Sequence, residues 1–216
     1  MLHTSIRRGP RAAFTLIEML TVVAVIVLLV GLVLGANSGI QTKAARVRSE
    51  GEISGLSLAC ENYKVDNGGY PRDEIFTDKL DPRMETTPSK YLSSIQILYA
   101  ALSGDLDRNG VKDPDSPRSY FEFKPDMLGG ERKSGQLVRA VGAVRFIQDP
   151  WGNSYGYSTA RLKQDEDLQV ARNTGAAPMT PGAAAASKGY NSTFDIWSTG
   201  GSGGGASSTG KWVKNW

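Results

Sequence analysis

Histidine and cysteine are almost missing from this sequence, since each occurs only once, as His3 and Cys60. A single cysteine excludes an intrachain disulfide bond. No pairing of a nucleophile with a base stands out. The glycine-rich stretches at 129–135 and 200–210 lack the Lys-Ser/Thr pair of a phosphate-binding loop. These absences argue against an enzyme.

Charged residues are also missing from a long apolar stretch near the beginning of the chain. Between Phe14 and Ala36 the only charged side chain is Glu18. A helix that rises about 1.5 Å per residue would make this stretch roughly 35 Å long, enough to cross a hydrocarbon core of about 30 Å. A carboxylate at the centre of such a span costs about 2.5–3.5 kcal/mol. Glu18 therefore needs a partner, and the amine of Phe14 in a neighbouring copy would serve if the chain is cut after Ala13.

The segment Phe14-Thr-Leu-Ile-Glu18, at the head of the apolar run and after a short basic leader, resembles the prepilin family. This family comprises the precursors of type IV pilins and of type II secretion pseudopilins. The one departure is Ala13, where the family usually has glycine. The resemblance implies that a prepilin peptidase removes residues 1–13 and that the new amine of Phe14 is methylated. It also implies that the leader lies in the cytoplasm and the rest of the chain outside.

The net charge of +3 comes from the leader alone. Residues 1–13 contain none of the 22 acidic residues but three of the 25 basic ones, Arg7, Arg8 and Arg11. Without the leader the positive and negative side chains balance. The basic isoelectric point therefore gives no argument for nucleic-acid binding, and no nucleic-acid partner is expected.

Three further segments resemble the major pseudopilins of type II secretion in particular. The lack of a cysteine pair favours the same branch, because many type IV pilins carry a C-terminal disulfide loop. The resemblance implies an α+β fold of the type IV pilin kind, in which a long N-terminal hydrophobic helix packs on a small antiparallel β-sheet head. The three segments are Tyr63-Lys-Val-Asp-Asn-Gly-Gly-Tyr-Pro71, Asp149-Pro-Trp-Gly-Asn-Ser-Tyr155, and the closing stretch that runs from Phe194-Asp-Ile-Trp-Ser to Asn215-Trp216.

The expected organisation has four parts. A cleaved leader (1–13) precedes a transmembrane and assembly half of the long helix (14–36) and an amphipathic half (37–67). A periplasmic head (68–216) follows, with a mobile Ala/Gly/Pro-rich insertion near 174–189.

Local signals predict the elements of the head. Asn67-Gly68-Gly69 predicts the end of the long helix, because these residues tolerate a left-handed backbone. Apolar spacing predicts a helix over 90–103, with Ser89 as its cap. Runs of apolar, aromatic and β-branched residues predict strands over 120–123, 137–147 and 154–158.

The function that the resemblance implies is structural. The chain would be a single-pass inner-membrane subunit of a periplasmic pseudopilus that drives protein export, assembled by helix stacking after leader cleavage and methylation. Its partners would be further copies in a helical filament, the prepilin peptidase, the inner-membrane assembly platform and the minor pseudopilins. Two alternatives are open: a surface type IV pilus subunit for adhesion, motility or DNA uptake, and a membrane-anchored calcium-binding module that never polymerises.

An acidic loop in the head matches the first nine places of an EF-hand-type calcium loop, with Gly110 at the sixth place. The twelfth place, which should be a bidentate acid, is Ser116, so a plain surface turn is the alternative. In the major pseudopilins a C-terminal acidic loop helps to bind calcium, but here residues 200–211 contain no acid. The predicted ligands are Asp105, Asp107, Asn109, the carbonyl of Val111, and Asp113.

Overall fold

The structure, a computed structural model, describes residues 14–116, 118–175, 188–202 and 206–216, except for the side chains of 32–38 and 206–208. The described residues form helices and small antiparallel sheets, which confirms the predicted α+β class. The α-helices are α1 (Leu16–Asn67), α2 (Leu92–Ser103) and α3 (Ala160–Asn173), and short 3-10 helices cover Pro88–Tyr91, Pro125–Met127 and Ala206–Lys211. The strands are β1 (Leu128–Gly130), β2 (Arg132–Lys133), β3 (Gln136–Leu137), β4 (Val144–Ile147), β5 (Gly156–Ser158), β6 (Asp195–Ser198) and β7 (Val213–Lys214).

Two compact units divide the chain, the first ending at Lys43 and the second running from Ala44 to Trp216. In the first unit, α1 begins at Leu16. No helix in the described part of the chain combines the length and the mean hydropathy of a membrane span. The span over 14–36 stays a prediction.

In the second unit, α1 contributes one face to the core. Four buried residues of this helix are spaced one, three or four positions apart and therefore lie on the same side of it. They are Ile53, Leu56, Ala59 and Cys60. Burying a large aliphatic side chain such as Ile53 or Leu56 stabilises the fold by about 1.5–3 kcal/mol. Burial also raises the pKa of the Cys60 thiol, which makes it a poor nucleophile.

The C-terminal end of α1 follows the prediction. The helix ends at Asn67, and Gly68 has a φ of +77°, which a residue without a Cβ adopts at little cost. The backbone N–H of Gly68 donates to the carbonyl of Lys64 at 2.8 Å, so one of the last carbonyls of the helix is satisfied.

The strands form three small sheets. β1 pairs with β4, β2 pairs with β3, and β6 lies between β5 and β7, with every pairing antiparallel. In the three-stranded sheet, Tyr157 is opposite Ile196, and both belong to the main core, which also contains α1 and α2 residues. Trp197, one residue further along β6, belongs to a separate cluster with Tyr91 and Trp212. We call this second set the tryptophan cluster.

The predicted strands are only partly correct. Residues 120–123 form no strand in the structure. Their rings pack on the main core instead, with the centroids of Phe121 and Phe123 4.8 Å apart. The strand predicted over 137–147 is interrupted, because Gly142 has a φ of +73° and its N–H donates to the carbonyl of Asp107. The strand predicted over 154–158 is shorter, since β5 begins at Gly156.

The helices of the head also differ from the prediction. Ser89 does not cap α2, because it lies within the preceding 3-10 helix and no side chain caps either element. The sequence analysis predicts no helix over α3, whose sequence is highly charged and whose one buried residue is Ala160. Half-buried ion pairs such as Arg161–Asp165 support this helix at a spacing of four residues. Most of the insertion expected near 174–189 lies outside the described residues.

Gly156 is required by the packing of the tryptophan cluster. A Cβ at this position would lie 2.1 Å from Cε2 of Trp197, which is fully buried and cannot move aside. We expect Gly156→Ala to lower the free energy of unfolding by about 1–3 kcal/mol, the usual cost of overpacking a core. Chemical denaturation measures this. Gly69→Ala is the matched control, since a Cβ there meets nothing within 4 Å; equal stability of both variants would contradict the prediction.

Candidate calcium-binding loop and assembly residues

The acidic loop begins where α2 ends. Gly104 terminates the helix with a φ of +72°, and its N–H donates to the carbonyl of Ala100. A Cβ on Gly104 would lie 2.5 Å from Oγ of Ser116, so the two ends of the loop approach too closely for a larger residue. The N–H of Asp113 donates to the carbonyl of Gly104 at 2.9 Å and closes the loop.

The loop brings together three of the five predicted ligands. Carboxylate oxygens of Asp105, Asp107 and Asp113 all lie within 4.8 Å of one another. Asp105 is buried, and the other two are half-buried. We call these three residues the acidic triad.

Asp105 is fixed by donors from two parts of the head. Its carboxylate accepts the hydroxyl of Tyr99 at 2.7 Å and the N–H of Gly110 at 2.8 Å. Burial, followed by the hydrogen bond to Asp105, raises the pKa of Tyr99, so this hydroxyl stays a donor. The sequence pattern assigns Tyr99 to the core alone, and its spacing on α2 gives no signal of this second contact.

The other two predicted ligands are placed differently. Oδ1 of Asn109 accepts the N–H of Val111 at 2.8 Å, while its amide nitrogen donates to Asp107 at 3.0 Å. Asn109 therefore lies beside the acidic triad, but its side-chain oxygen already accepts a hydrogen bond from Val111. The side chain of Val111 is exposed, and no contact places its carbonyl at the triad.

The charge of the acidic triad is not balanced by basic side chains. Among the described residues, no Lys or Arg forms an ion pair with any of its three carboxylates. Each carboxylate has about four acceptor positions, so oxygen lone pairs remain after the hydrogen bonds above. Several hard oxygen ligands of like charge around one point fit a calcium ion.

Glu18 has a local role at the start of α1 that the apolar pattern does not reveal. Oε2 of Glu18 accepts both the N–H and the hydroxyl of Thr15, each at 2.8 Å, and the N–H of Glu18 donates to Oγ1 of Thr15 at 3.3 Å. This is a capping box, for which the spacing Thr-x-x-Glu is a sequence signal. Phe14 is exposed, and Ala13 lies outside the described residues.

The Asp149-Pro-Trp-Gly-Asn turn is built around a buried carboxylate. Asp149 accepts the N–H groups of Trp151 and Asn153 and the hydroxyl of Ser198. Burial raises its pKa, with these hydrogen bonds acting in the opposite direction. This motif therefore joins the turn to β6. Asp195 lies in β6 and accepts the backbone N–H groups of Tyr190 and Asn191.

The chain is similar to two proteins named type II secretion system core protein G. The one from Aeromonas hydrophila is 27% identical over 145 residues, which cover 67% of this chain and 71% of that protein. The one from Klebsiella michiganensis is 35% identical over 68 residues, which cover 32% of this chain and 48% of that protein. No family model and no solved structure matches the chain. The resemblance to the major pseudopilins that the sequence motifs indicate is thereby confirmed.

Proposed function

We propose that this chain is a structural subunit of a type II secretion pseudopilus. The similarity to the two core G proteins carries this proposal. The subunit is anchored in the inner membrane by residues 14–36, with the helix continuing over 37–67 and the head (68–216) in the periplasm. It has the pilin-like arrangement of a long hydrophobic helix and a small antiparallel head, and it acts by assembly rather than by catalysis.

Assembly follows removal of residues 1–13 by a prepilin peptidase and methylation of the Phe14 amine. Glu18 of one subunit neutralises this amine on the adjacent subunit and so fixes the register of addition. An ion pair in an apolar helical bundle is selective, because leaving either charge without its partner costs several kcal/mol. Besides other copies, the partners are the inner-membrane assembly platform and the minor pseudopilins.

The acidic triad belongs to this proposal as a calcium site that stiffens the head. Asp105, Asp107 and Asp113 supply carboxylate oxygens, and Asn109 and the carbonyl of Val111 complete the set after a small rearrangement. The single observation in favour is the clustering of three carboxylates within 4.8 Å. A calcium ion bound here would neutralise the carboxylates of the acidic triad and hold the acidic loop closed.

Processing of the leader tests the proposed function directly. Co-expression with a prepilin peptidase should yield a chain that begins at a methylated Phe14, and intact-mass spectrometry reads this out. Ala13→Gly should be processed equally well and Ala13→Leu should not, because the family usually has glycine, the smallest residue, before the cut. Filaments that retain residues 1–13 would contradict the proposal. Full activity in the host without cleavage would favour the calcium-binding module that never polymerises.

A further inference from the structure

Four side chains form a cationic aromatic patch beside the tryptophan cluster. The rings of Tyr190 and Trp216 stack with centroids 4.3 Å apart and planes 7° apart. The guanidinium of Arg83 lies 4.8 Å from the centroid of Tyr190, and the ammonium of Lys214 lies 5.1 Å from that of Trp216. Both cations are exposed, and Tyr190 is 42% exposed.

Two nearby acids hold the patch together, and the carboxylate of Asp195 lies within electrostatic reach of Arg83. Oδ1 of Asp81 accepts the backbone N–H groups of Arg83 and Gly189, and these two hydrogen bonds join two distant segments of the chain. The carboxylate of Asp195 is buried and accepts the N–H groups of Tyr190 and Asn191. Within the described part of the chain, neither Arg83 nor Lys214 forms an ion pair.

The neighbouring tryptophans add donors that lack acceptors. The indole N–H groups of Trp212 and Trp216 are buried and have no hydrogen-bond partner among the described residues. Trp216 packs edge-on to Trp197, and Trp212 stacks on Trp197, so these rings belong to one cluster. An indole nitrogen can only donate. This side of the three-stranded sheet therefore presents two exposed cations above buried indole N–H groups.

We propose that the cationic aromatic patch binds carboxylates of an acidic segment in a partner protein. Stacking on Tyr190 holds the Arg83 guanidinium in place, and its planar set of N–H donors matches a carboxylate in a bidentate arrangement. Lys214 supplies a second charge near the same two rings, so a segment with two acidic residues fits better than a single ion. This inference is independent of the proposed filament role.

Nucleic acids and membranes fit the patch less well. Trp216 stacks on Tyr190 and Arg83 lies over the same ring, so a nucleobase would have to compete with both groups for this ring. Proteins that bind duplex DNA through its backbone commonly contact about 6–10 phosphates, and lipid-binding clusters contain about 4–8 basic residues. Two cations are instead enough to pair with two carboxylates of a short acidic peptide.

Fluorescence anisotropy with a labelled hexaglutamate peptide tests this on the full-length chain, with hexaglutamine as the uncharged probe. We expect saturable binding of hexaglutamate alone, weakened by salt because the contacts are exposed. Arg83→Gln should weaken it about tenfold, equivalent to about 1.4 kcal/mol. Arg145→Gln removes an exposed charge elsewhere in the head and should leave binding unchanged. Lys214→Gln is a second test should Arg83→Gln fold poorly.

The ring of Tyr190 gives a further readout. Tyr190→Phe keeps the stack and should retain binding, whereas Tyr190→Leu should weaken it as Arg83→Gln does. Nitrogen-15 NMR should show the indole resonance of Trp216 shifting on addition of peptide. Absence of hexaglutamate binding would overturn the proposal. So would equal loss in Arg145→Gln, or binding of a single-stranded oligonucleotide or of anionic vesicles that is stronger than hexaglutamate binding and that Arg83→Gln weakens.

Discussion

We expect Glu18→Gln to abolish filament assembly while leaving membrane insertion and leader cleavage intact, and this is the largest effect we expect in the molecule. Glutamine keeps the hydrogen bonds of the capping box with Thr15, since Gln is accepted at the same position. The variant lacks the negative charge that would neutralise the amine of Phe14 in the next subunit. Electron microscopy of sheared filaments and immunoblotting of the cleaved subunit measure the two properties separately.

The matched variants separate assembly from helix capping. Glu18→Ala loses both the charge and the cap and should also fail to assemble. Glu18→Asp keeps the charge on a shorter side chain and should recover part of the yield. Normal filaments from Glu18→Gln together with none from Glu18→Ala would show that the cap alone is required, and the inter-subunit pair would then be wrong.

Calcium is expected to raise the melting temperature of the chain by about 5–10 °C. At one hundred times its dissociation constant, a ligand that binds the folded state alone adds about 2.7 kcal/mol, and a domain of this size gains about 2–4 °C for each kcal/mol. The physical cause is neutralisation of the three carboxylates of the acidic triad, which have no basic partner among the described residues. Differential scanning calorimetry with calcium and then with a chelator measures the gain and its reversal.

Asp107→Asn should lose this response, because it removes one charged ligand while keeping the shape of the side chain. Asp115→Asn is the control: it removes an exposed acid from the adjacent turn that is not part of the acidic triad. Titration calorimetry should therefore detect calcium binding to the Asp115 variant and none to the Asp107 variant. If neither the variants nor the parent chain respond to calcium, the loop is a hydrogen-bonded surface turn.

The sequence predicts elements whose signals are local. The end of α1 is predictable, because Asn67-Gly68-Gly69 supplies the left-handed residue that the helix end requires. The proximity of Asp105, Asp107 and Asp113 is predictable for the same reason, since their spacing around Gly110 forces the backbone to turn. Tyr99 is missed as a partner of Asp105, because a tyrosine on an apolar helix face looks the same whether or not its hydroxyl is used.

Features that depend on contacts between residues far apart in the sequence are less predictable. Residues 120–123 have the composition of a strand, but tertiary contacts of their rings decide their conformation. α3 is not predicted, because its sequence is highly charged and it buries a single residue, so ion pairs along the helix rather than a broad apolar face support it. The cationic aromatic patch joins residues near 83, 190 and 214. The pairing of β6 with β7, the bonds to Asp81 and the bond from Tyr190 to Asp195 bring them together.

The connection between β5 and β6 has a consequence for how such proteins diverge. These strands are adjacent and antiparallel, so a turn of a few residues would suffice to join them. The chain instead makes a long excursion that includes α3 and Tyr190. Lengthening a loop costs only about 0.6 kcal/mol for each doubling. Insertions in the middle of this excursion would therefore leave the core sheet unchanged, and the proposed partner-binding patch lies where the excursion rejoins the sheet, with Tyr190 bonded to Asp195 of β6.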